Sequence, residues 1–127
     1  MAQNIKAAVV KMDITPDDSQ WLLGYGPRKS TGVHDRIYHR ILLLDDGEEI
    51  FCLVSTDICL VSPAEYDRVA SRIHDELGID PENLWWTVTH THSAPEVGPS
   101  GLPEITQTAG KELIEAVSGY LEELPKE

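Results

Sequence analysis

Basic residues, cysteines and long apolar runs are all scarce in this 127-residue sequence. Only 10 lysine and arginine residues stand against 22 aspartate and glutamate residues, which gives a formal net charge of -12. Because such a charge repels phosphate backbones and anionic lipid surfaces, we discount nucleic acid as a partner. No apolar run approaches the ~18 residues that a membrane-spanning helix needs, so we predict no transmembrane segment.

The two cysteines, Cys52 and Cys59, lie on or near one apolar run. Their odd spacing places them on opposite faces of a strand, too far apart for a local disulfide, and we predict buried free thiols. No leader peptide is recognisable, because the opening segment is short and is interrupted by Lys11 and Asp13. A reducing cytoplasm is the predicted compartment, with secretion as the alternative if a leader has been removed.

The order of the elements predicts an α/β fold with a single domain over residues 1–127. Four strands are predicted, over residues 5–12, 37–44, 49–61 and 84–89. The segment "DDGE" joins the second strand to the third as a tight hairpin. A strand, helix, strand order then favours a parallel crossover to the fourth strand. We therefore predict a mixed sheet of about four strands with two main helices.

The first helix is marked at both of its ends. Ser62 is the predicted N-cap, Pro63 occupies the first turn, Glu65 completes a capping box and Gly78 ends the helix. The second, C-terminal helix is predicted from about residue 103 to residue 124, where apolar residues recur every three or four positions. The long polar stretch between the first two strands is predicted to be functional, since long loops in compact domains usually are.

The segment "WWTVTHTHSAP", residues 85–95, ends an apolar strand in two histidines. Because side chains alternate along a strand, His90 and His92 are predicted to point to the same side, about 6.6 Å apart. They follow the carboxyl end of a crossover strand, where α/β sheets place their ligands. Neutral imidazole is a good zinc ligand, but catalytic zinc takes at least three protein ligands, so two histidines are insufficient. The alternative is that both are polar strand-end residues bonded to backbone or water.

Other candidate residues lie outside this segment. His34 sits in the long loop beside Asp35 and Arg36, where imidazole, carboxylate and guanidinium groups can meet a ligand. Asp57 interrupts an apolar run, and a carboxylate there needs a partner, a metal or a proton.

Two further histidines and a serine receive simpler predictions. His39 is predicted to be structural or at the surface, and His74 to lie on the solvated side of the first helix. Ser93 matches no known serine-nucleophile motif.

Four blocks of the sequence resemble the opening segment of the neutral/alkaline non-lysosomal ceramidase family. They are "KMDITP", "LLGYGPRKSTGVHDRIYHR", "VSTDICLV" and "TVTHTHSAP", and their order is similar to the family pattern as well as their content. Members of that family are zinc-dependent amidases that cleave the N-acyl bond of ceramide. The resemblance implies zinc as the cofactor and a lipid amide, or another small molecule, as the substrate.

The resemblance also implies roles for single residues. His90 matches the first histidine of the family's T-H-T-H segment, which binds zinc. His92 matches the second, which assists catalysis beside the metal-bound water. His34 and Arg36 match a pair of loop residues near the site, and we assign Arg36 to catalysis.

We assign His34, together with Asp57 and Ser93, to substrate contact or to support of the ligands. Asp57 matches the acid that the family carries in this strand.

Two departures from the family pattern are present. Ala94 replaces the glycine that usually follows T-H-T-H-S, and "EVGPSG" replaces a glycine-rich continuation. The family also completes its metal shell with residues far downstream of any in this sequence. We therefore expect the chain to be the first part of a larger zinc amidase domain, to bind zinc weakly alone, and to self-associate or require a missing downstream segment.

Two other functions stay open at this point. One is a non-catalytic binding or assembly module with the same fold. The other, ranked lower, is a metallo-β-lactamase-like hydrolase, whose H-x-H-x-D-H motif is interrupted here by Ala94 and Pro95.

Overall fold

The computed structural model describes residues 4–26 and 28–95 of the chain. In chain order its elements are β1 (Lys6–Asp13), β2 (Trp21–Leu22), β3 (Arg28–Lys29), β4 (Tyr38–Asp45), β5 (Ile50–Thr56), α1 (Pro63–Leu77), a 3-10 turn (Pro81–Asn83) and β6 (Leu84–Val88). The second predicted helix lies outside the described residues. Within the described residues, no helix is both long enough and apolar enough to cross a membrane.

Four of the strands form one mixed sheet in the order β1-β4-β5-β6. The pairs β1-β4 and β4-β5 are antiparallel, while β5 and β6 are parallel. This arrangement confirms the predicted hairpin followed by a β-α-β crossover. Because β5 and β6 run in the same direction, their carboxyl ends meet at one edge of the sheet.

The hairpin between β4 and β5 turns where the sequence predicts it. Gly47 has a φ of 93°, a conformation that glycine adopts without steric cost. The Asp46 carboxylate accepts hydrogen bonds from the backbone N–H groups of Glu48 and Glu49 at 2.9 and 2.8 Å. These bonds lower the pKa of Asp46 below its usual value and fix the register of the two strands.

Helix α1 begins and ends at the predicted residues. The Ser62 side chain accepts a hydrogen bond from the Glu65 N–H at 3.2 Å, and Gly78 has a φ of 72° with its N–H bonded to the His74 carbonyl. One face of α1 packs on the sheet and forms the core with β4, β5 and β6, through the buried residues Ile41, Leu43, Cys52, Val54, Val69, Ala70, Ile73, Ile79 and Leu84. Burying an aliphatic side chain of this size stabilises a fold by about 1.5–3 kcal/mol.

One sequence-based boundary is wrong, and one hairpin was not predicted. Strand β5 ends at Thr56 rather than at residue 61, because the chain turns there and the Ile58 N–H bonds to the Thr56 carbonyl at 2.9 Å. Cys59 therefore lies in the loop after β5, where side chains do not alternate between the faces of a strand. The long polar stretch also contains the short antiparallel hairpin β2-β3.

Both cysteines are nevertheless buried free thiols, as predicted. Burial under α1 raises the pKa of the Cys52 thiol from 9.0 to about 12. Cys52 is therefore a neutral core residue at physiological pH.

Candidate functional site

The candidate site is built on two loops that leave the carboxyl ends of β5 and β6. Beyond the last strand residues, the backbone N–H groups of Thr89 and His90 bond to the carbonyls of Thr56 and Ile58, each at 3.0 Å. His90 has a φ of 61°, a left-handed conformation that is uncommon for residues other than glycine. These bonds hold the loop after β6 against the loop after β5.

The imidazoles of His90 and His92 meet in this loop. Their Nε2 atoms are 3.2 Å apart, and the ring planes are inclined at 80°. The two rings thus converge as the sequence suggested, but the reason differs. Both residues lie beyond the end of β6 at Val88, so the left-handed turn at His90, and not strand alternation, brings the rings together.

The surroundings of His90 determine which of its nitrogen atoms can bind a ligand. Its Nδ1 lies 3.0 Å from the backbone carbonyl oxygen of Cys59. A carbonyl oxygen only accepts hydrogen bonds, so Nδ1 is the donor and Nε2 carries the lone pair of the neutral ring. Such a bond to the second nitrogen is the usual support for a histidine that ligates a metal.

Cys59 adds a third potential ligand. Its Sγ is 3.6 Å from His90 Nδ1. Among the described residues, Cys59, His90 and His92 form a group whose ligand atoms lie within 4.8 Å of one another. Sequence reasoning missed Cys59 as a ligand, because its position opposite His90 depends on the pairing of β5 with β6.

The group formed by Cys59, His90 and His92 fits zinc in the types of its donor atoms and in the separation of its two imidazole nitrogens. Two imidazole nitrogens and a thiol are the donor types that zinc prefers. Two nitrogen ligands of a tetrahedral zinc ion lie about 3.3 Å apart, close to the observed separation of His90 Nε2 and His92 Nε2. The same separation suits a hydrogen bond between the two rings, so the geometry accommodates either arrangement.

The backbone at Gly24 and its neighbours encloses the outer side of the His92 ring. A Cβ atom added to Gly24 would lie 2.5 Å from His92 Nδ1, so only glycine fits there. The Tyr25 ring lies 4.5 Å from the His92 ring. Arg28 donates hydrogen bonds to the backbone carbonyls of His92 and Gly24.

Two of the predicted site residues, His34 and Arg36, are engaged elsewhere. His34 is 97% exposed and bonds to its neighbour Asp35. Arg36 forms an ion pair with Asp13 at 3.3 Å. The pKa of Asp13 is lowered mainly by hydrogen bonds from Thr15, and less by Arg36. Neither His34 nor Arg36 belongs to the group of potential metal ligands.

Asp57 has the partner that its position requires. Its carboxylate accepts hydrogen bonds from Arg40 at 2.7 Å and from the Tyr38 N–H at 3.0 Å. The carboxylate thus ties the end of β5 to the start of β4. It lies outside the group that contains the two histidines.

An open groove of about 760 Å³ lies next to the histidine loop. Ser93, Thr91 and His34 contribute to its lining, together with the polar residues that follow β1. His90 and His92 are not among the lining residues. Two predicted site residues, His34 and Ser93, therefore share one surface, separate from the imidazole pair.

The remaining histidines have the structural roles that the sequence suggests. His39 is fully buried, and its Nδ1 lies 2.7 Å from the hydroxyl of Thr56. His74 lies on the surface of α1, 3.5 Å from Asp80.

The fold of this chain is similar to that of two solved ceramidase structures. The neutral ceramidase from Pseudomonas aeruginosa superposes with a TM-score of 0.77 at 22% sequence identity, over 93% of this chain and 21% of that chain. A structure described as ceramidase complexed with C2 superposes with a TM-score of 0.74 at 23% identity, over 89% of this chain and 20% of that chain. No family model and no curated protein matches the sequence.

These superpositions confirm the resemblance to neutral ceramidases at the level of the fold. The chain spans about a fifth of the length of the two ceramidase structures, consistent with the predicted first segment of such an enzyme.

Proposed function

We propose that this chain is the histidine-bearing segment of a zinc-dependent hydrolase that cleaves an N-acyl amide bond, as ceramidases do. The observation that supports the proposal is the convergence of His90 Nε2 and His92 Nε2 in a fold shared with neutral ceramidase. The proposed substrate is a lipid amide. Because the chain spans a fifth of the ceramidase structures, activity and substrate are proposed for a longer protein that contains it.

The proposed roles follow from the contacts of the two rings. His90 would hold zinc through Nε2, since its Nδ1 is bonded to the Cys59 carbonyl. In the longer protein His92 would exchange a proton with the reacting group through Nε2, whereas in this chain alone the same nitrogen can ligate a cation beside His90 Nε2. Its ring is held by the surrounding loop. When bound, zinc supplies Lewis-acid chemistry, polarising a carbonyl and lowering the pKa of a coordinated water to about 7.

The other predicted residues receive supporting roles in this proposal. Arg36 and Asp57 are held in ion pairs, so they would shape the loops around the site instead of acting on the substrate. His34 and Ser93 line the groove beside the histidine loop, which would receive part of the substrate.

The number of ligands limits the expected affinity. Catalytic zinc takes at least three protein ligands. The described residues supply two imidazole nitrogens at a suitable separation, but the Cys59 thiol lies on the Nδ1 side of His90, away from the Nε2 atom that would hold the metal. We therefore propose that the isolated chain binds zinc weakly and turns over little substrate. The compartment is part of the same proposal, since free thiols at Cys52 and Cys59 suit a reducing cytoplasm.

Zinc titration of the full chain tests this function. We expect His90→Ala to weaken zinc binding by more than about 100-fold, because it removes a ligand and leaves too few donors. His74→Ala is the matched control, since His74 lies on the surface away from the loop. Cys59→Ser shows whether the thiol is a third ligand. Unchanged zinc affinity in the His90 variant would eliminate the proposal.

The second candidate is the non-catalytic binding module. The observation that favours it is an apolar row across the sheet face opposite α1, in which Val9, Leu42, Leu53 and Trp85 are paired in register. Val9 is 65% exposed and Trp85 is 59% exposed. Absence of zinc binding together with self-association in sizing experiments would favour this function, whereas a zinc-binding monomer would favour the hydrolase.

A further inference from the structure

We infer that Arg28 and the Gly24–Tyr25 backbone position His92, and that Arg28 is a positioning residue for that histidine. This positioning role rests on the proposed function only because that function gives His92 a part in the hydrolysis. The contacts that support it are independent of any metal.

Arg28 links two loops that are remote in the sequence. Its guanidinium donates to the backbone carbonyl of His92, and its Nε donates to the carbonyl of Gly24 at 3.4 Å. Among the described residues, no carboxylate forms an ion pair with Arg28. The rigid fork of a guanidinium is suited to bridging two acceptors at once, which a lysine ammonium does less well. Arg28 thus acts as a clamp between the β2-β3 hairpin and the histidine loop.

Gly24 sets the position of the ring by contact. The His92 Cβ, Cγ and Nδ1 atoms all lie within 3.0 Å of the place that a Cβ atom on Gly24 would occupy. The imidazole therefore rests directly on the Gly24 backbone. His92 Nδ1 is buried there and has no hydrogen-bond partner among the described residues. Packing against Gly24, and not a hydrogen bond to Nδ1, therefore holds the His92 ring so that its Nε2 atom faces His90.

Tyr25 closes the third side of the ring. Its φ of 59° is unusual for a bulky residue. The residue is 87% exposed, although the centroid of its ring lies 4.5 Å from that of the His92 ring. Strained conformations of this kind cluster at functional sites. The strain here places an aromatic ring against the histidine, and a hydrogen bond of 3.4 Å from the Leu23 N–H to the Ala94 carbonyl supports the same loop.

The first experiment removes the clamp. The variants are Arg28→Met, Arg28→Lys and the control Lys29→Met, each made in the full chain. Each variant is titrated with Co²⁺, and the ring nitrogens of His92 are observed by ¹⁵N NMR. Lys29 is on the same hairpin but contacts Trp21 instead of the histidine loop. We expect Arg28→Met to weaken Co²⁺ binding about 10- to 100-fold and to shift the His92 signals. Arg28→Lys should restore part of both, and Lys29→Met should change neither.

The second experiment separates steric contact from backbone strain. Gly24 and Gly26 have similar φ values of 104° and 94°, but the Cβ position of Gly26 has no neighbour within 4 Å. Both alanine variants therefore incur the same backbone penalty, and only Gly24→Ala displaces the ring. We expect Gly24→Ala to shift the His92 ring signals and to weaken Co²⁺ binding further than Gly26→Ala does.

The outcomes distinguish the two proposals. If the wild-type chain binds no Co²⁺, the proposed function fails, and the His92 ring signals alone decide the positioning role. Unchanged ring signals in both Arg28→Met and Gly24→Ala overturn the inference. Equal effects of Lys29→Met and Arg28→Met, in variants that melt at the same temperature as wild type, also overturn it.

Discussion

The helix-covered face of the sheet and the histidine edge are held together by different forces. Under α1, residues such as Ile73 and Val54 are fully buried and belong to the apolar core. At the histidine edge, backbone hydrogen bonds, the Arg28 clamp and contact with Gly24 fix the geometry. Apolar burial stabilises the fold without fixing precise angles. The edge has a smaller buried cluster at Ile58 and Ala94, and its angles are fixed by the hydrogen bonds and the contact with Gly24. Stability and chemistry are therefore assigned to separate sets of side chains.

The largest expected effect is on the helix-covered face. Ile73→Ala should lower the free energy of unfolding by about 2–5 kcal/mol, because it removes buried methyl groups and leaves a cavity. Chemical denaturation measures this change. Zinc affinity of the folded variant should be unchanged. Arg72→Ala, which removes an exposed pair with Glu76 on the same helix, is the control and should cost no more than about 0.5 kcal/mol. A drop in zinc affinity in the Ile73→Ala variant would show that the helix-covered face and the histidine edge are not independent of each other.

An intermediate effect is expected at Thr56, which lies where the two regions join. Its hydroxyl bonds to His39 Nδ1 at 2.7 Å and to Trp86 Nε1 at 2.8 Å. Thr56→Val keeps the shape of the side chain but leaves His39 Nδ1 and Trp86 Nε1 beside a methyl group. We expect it to lower the free energy of unfolding by about 1–3 kcal/mol. Thr87→Val is the matched control, since Thr87 is exposed on β6 and its hydroxyl donates a single hydrogen bond, to the Val54 carbonyl at 2.8 Å. Equal unfolding free energies for the two variants would contradict this prediction.

The smallest effect concerns Cys52 at alkaline pH. Its folded pKa of about 12 exceeds the ordinary value of 9.0, so the stabilisation is complete below pH 9 and is lost as pH rises towards 12. The loss is about 1.4 kcal/mol per pH unit in that window. Cys52→Ala should therefore lose about 1 kcal/mol less stability than wild type between pH 8 and pH 10. Equal pH dependence of unfolding in both proteins would show that the thiol is not desolvated as described.

Local signals in the sequence predicted the parts of the fold that depend on local interactions. Ser62 and Gly78 mark the ends of α1 through bonds within three or four residues, and the "DDGE" turn is equally local. The order of the elements also sufficed to predict parallel pairing of the last strand.

The site was predicted less completely because its contacts are long-range. Cys59 faces His90 only after β5 and β6 have paired, and nothing near Arg28 in the sequence indicates its bond to the His92 carbonyl. The early end of β5 also moved Cys59 off the strand. The glycine-flanked Tyr25 was the one local signal in that loop that could have been used.

The parallel crossover has a consequence for the order in which the molecule assembles. Cys59 and His90 are separated by 31 positions, and Arg28 and His92 by 64. Contacts across such distances form late in folding, because closing long loops is entropically costly. Cys59 and the Arg28 clamp therefore reach the histidine loop only when the sheet is complete, so a bound cation would selectively stabilise the finished fold.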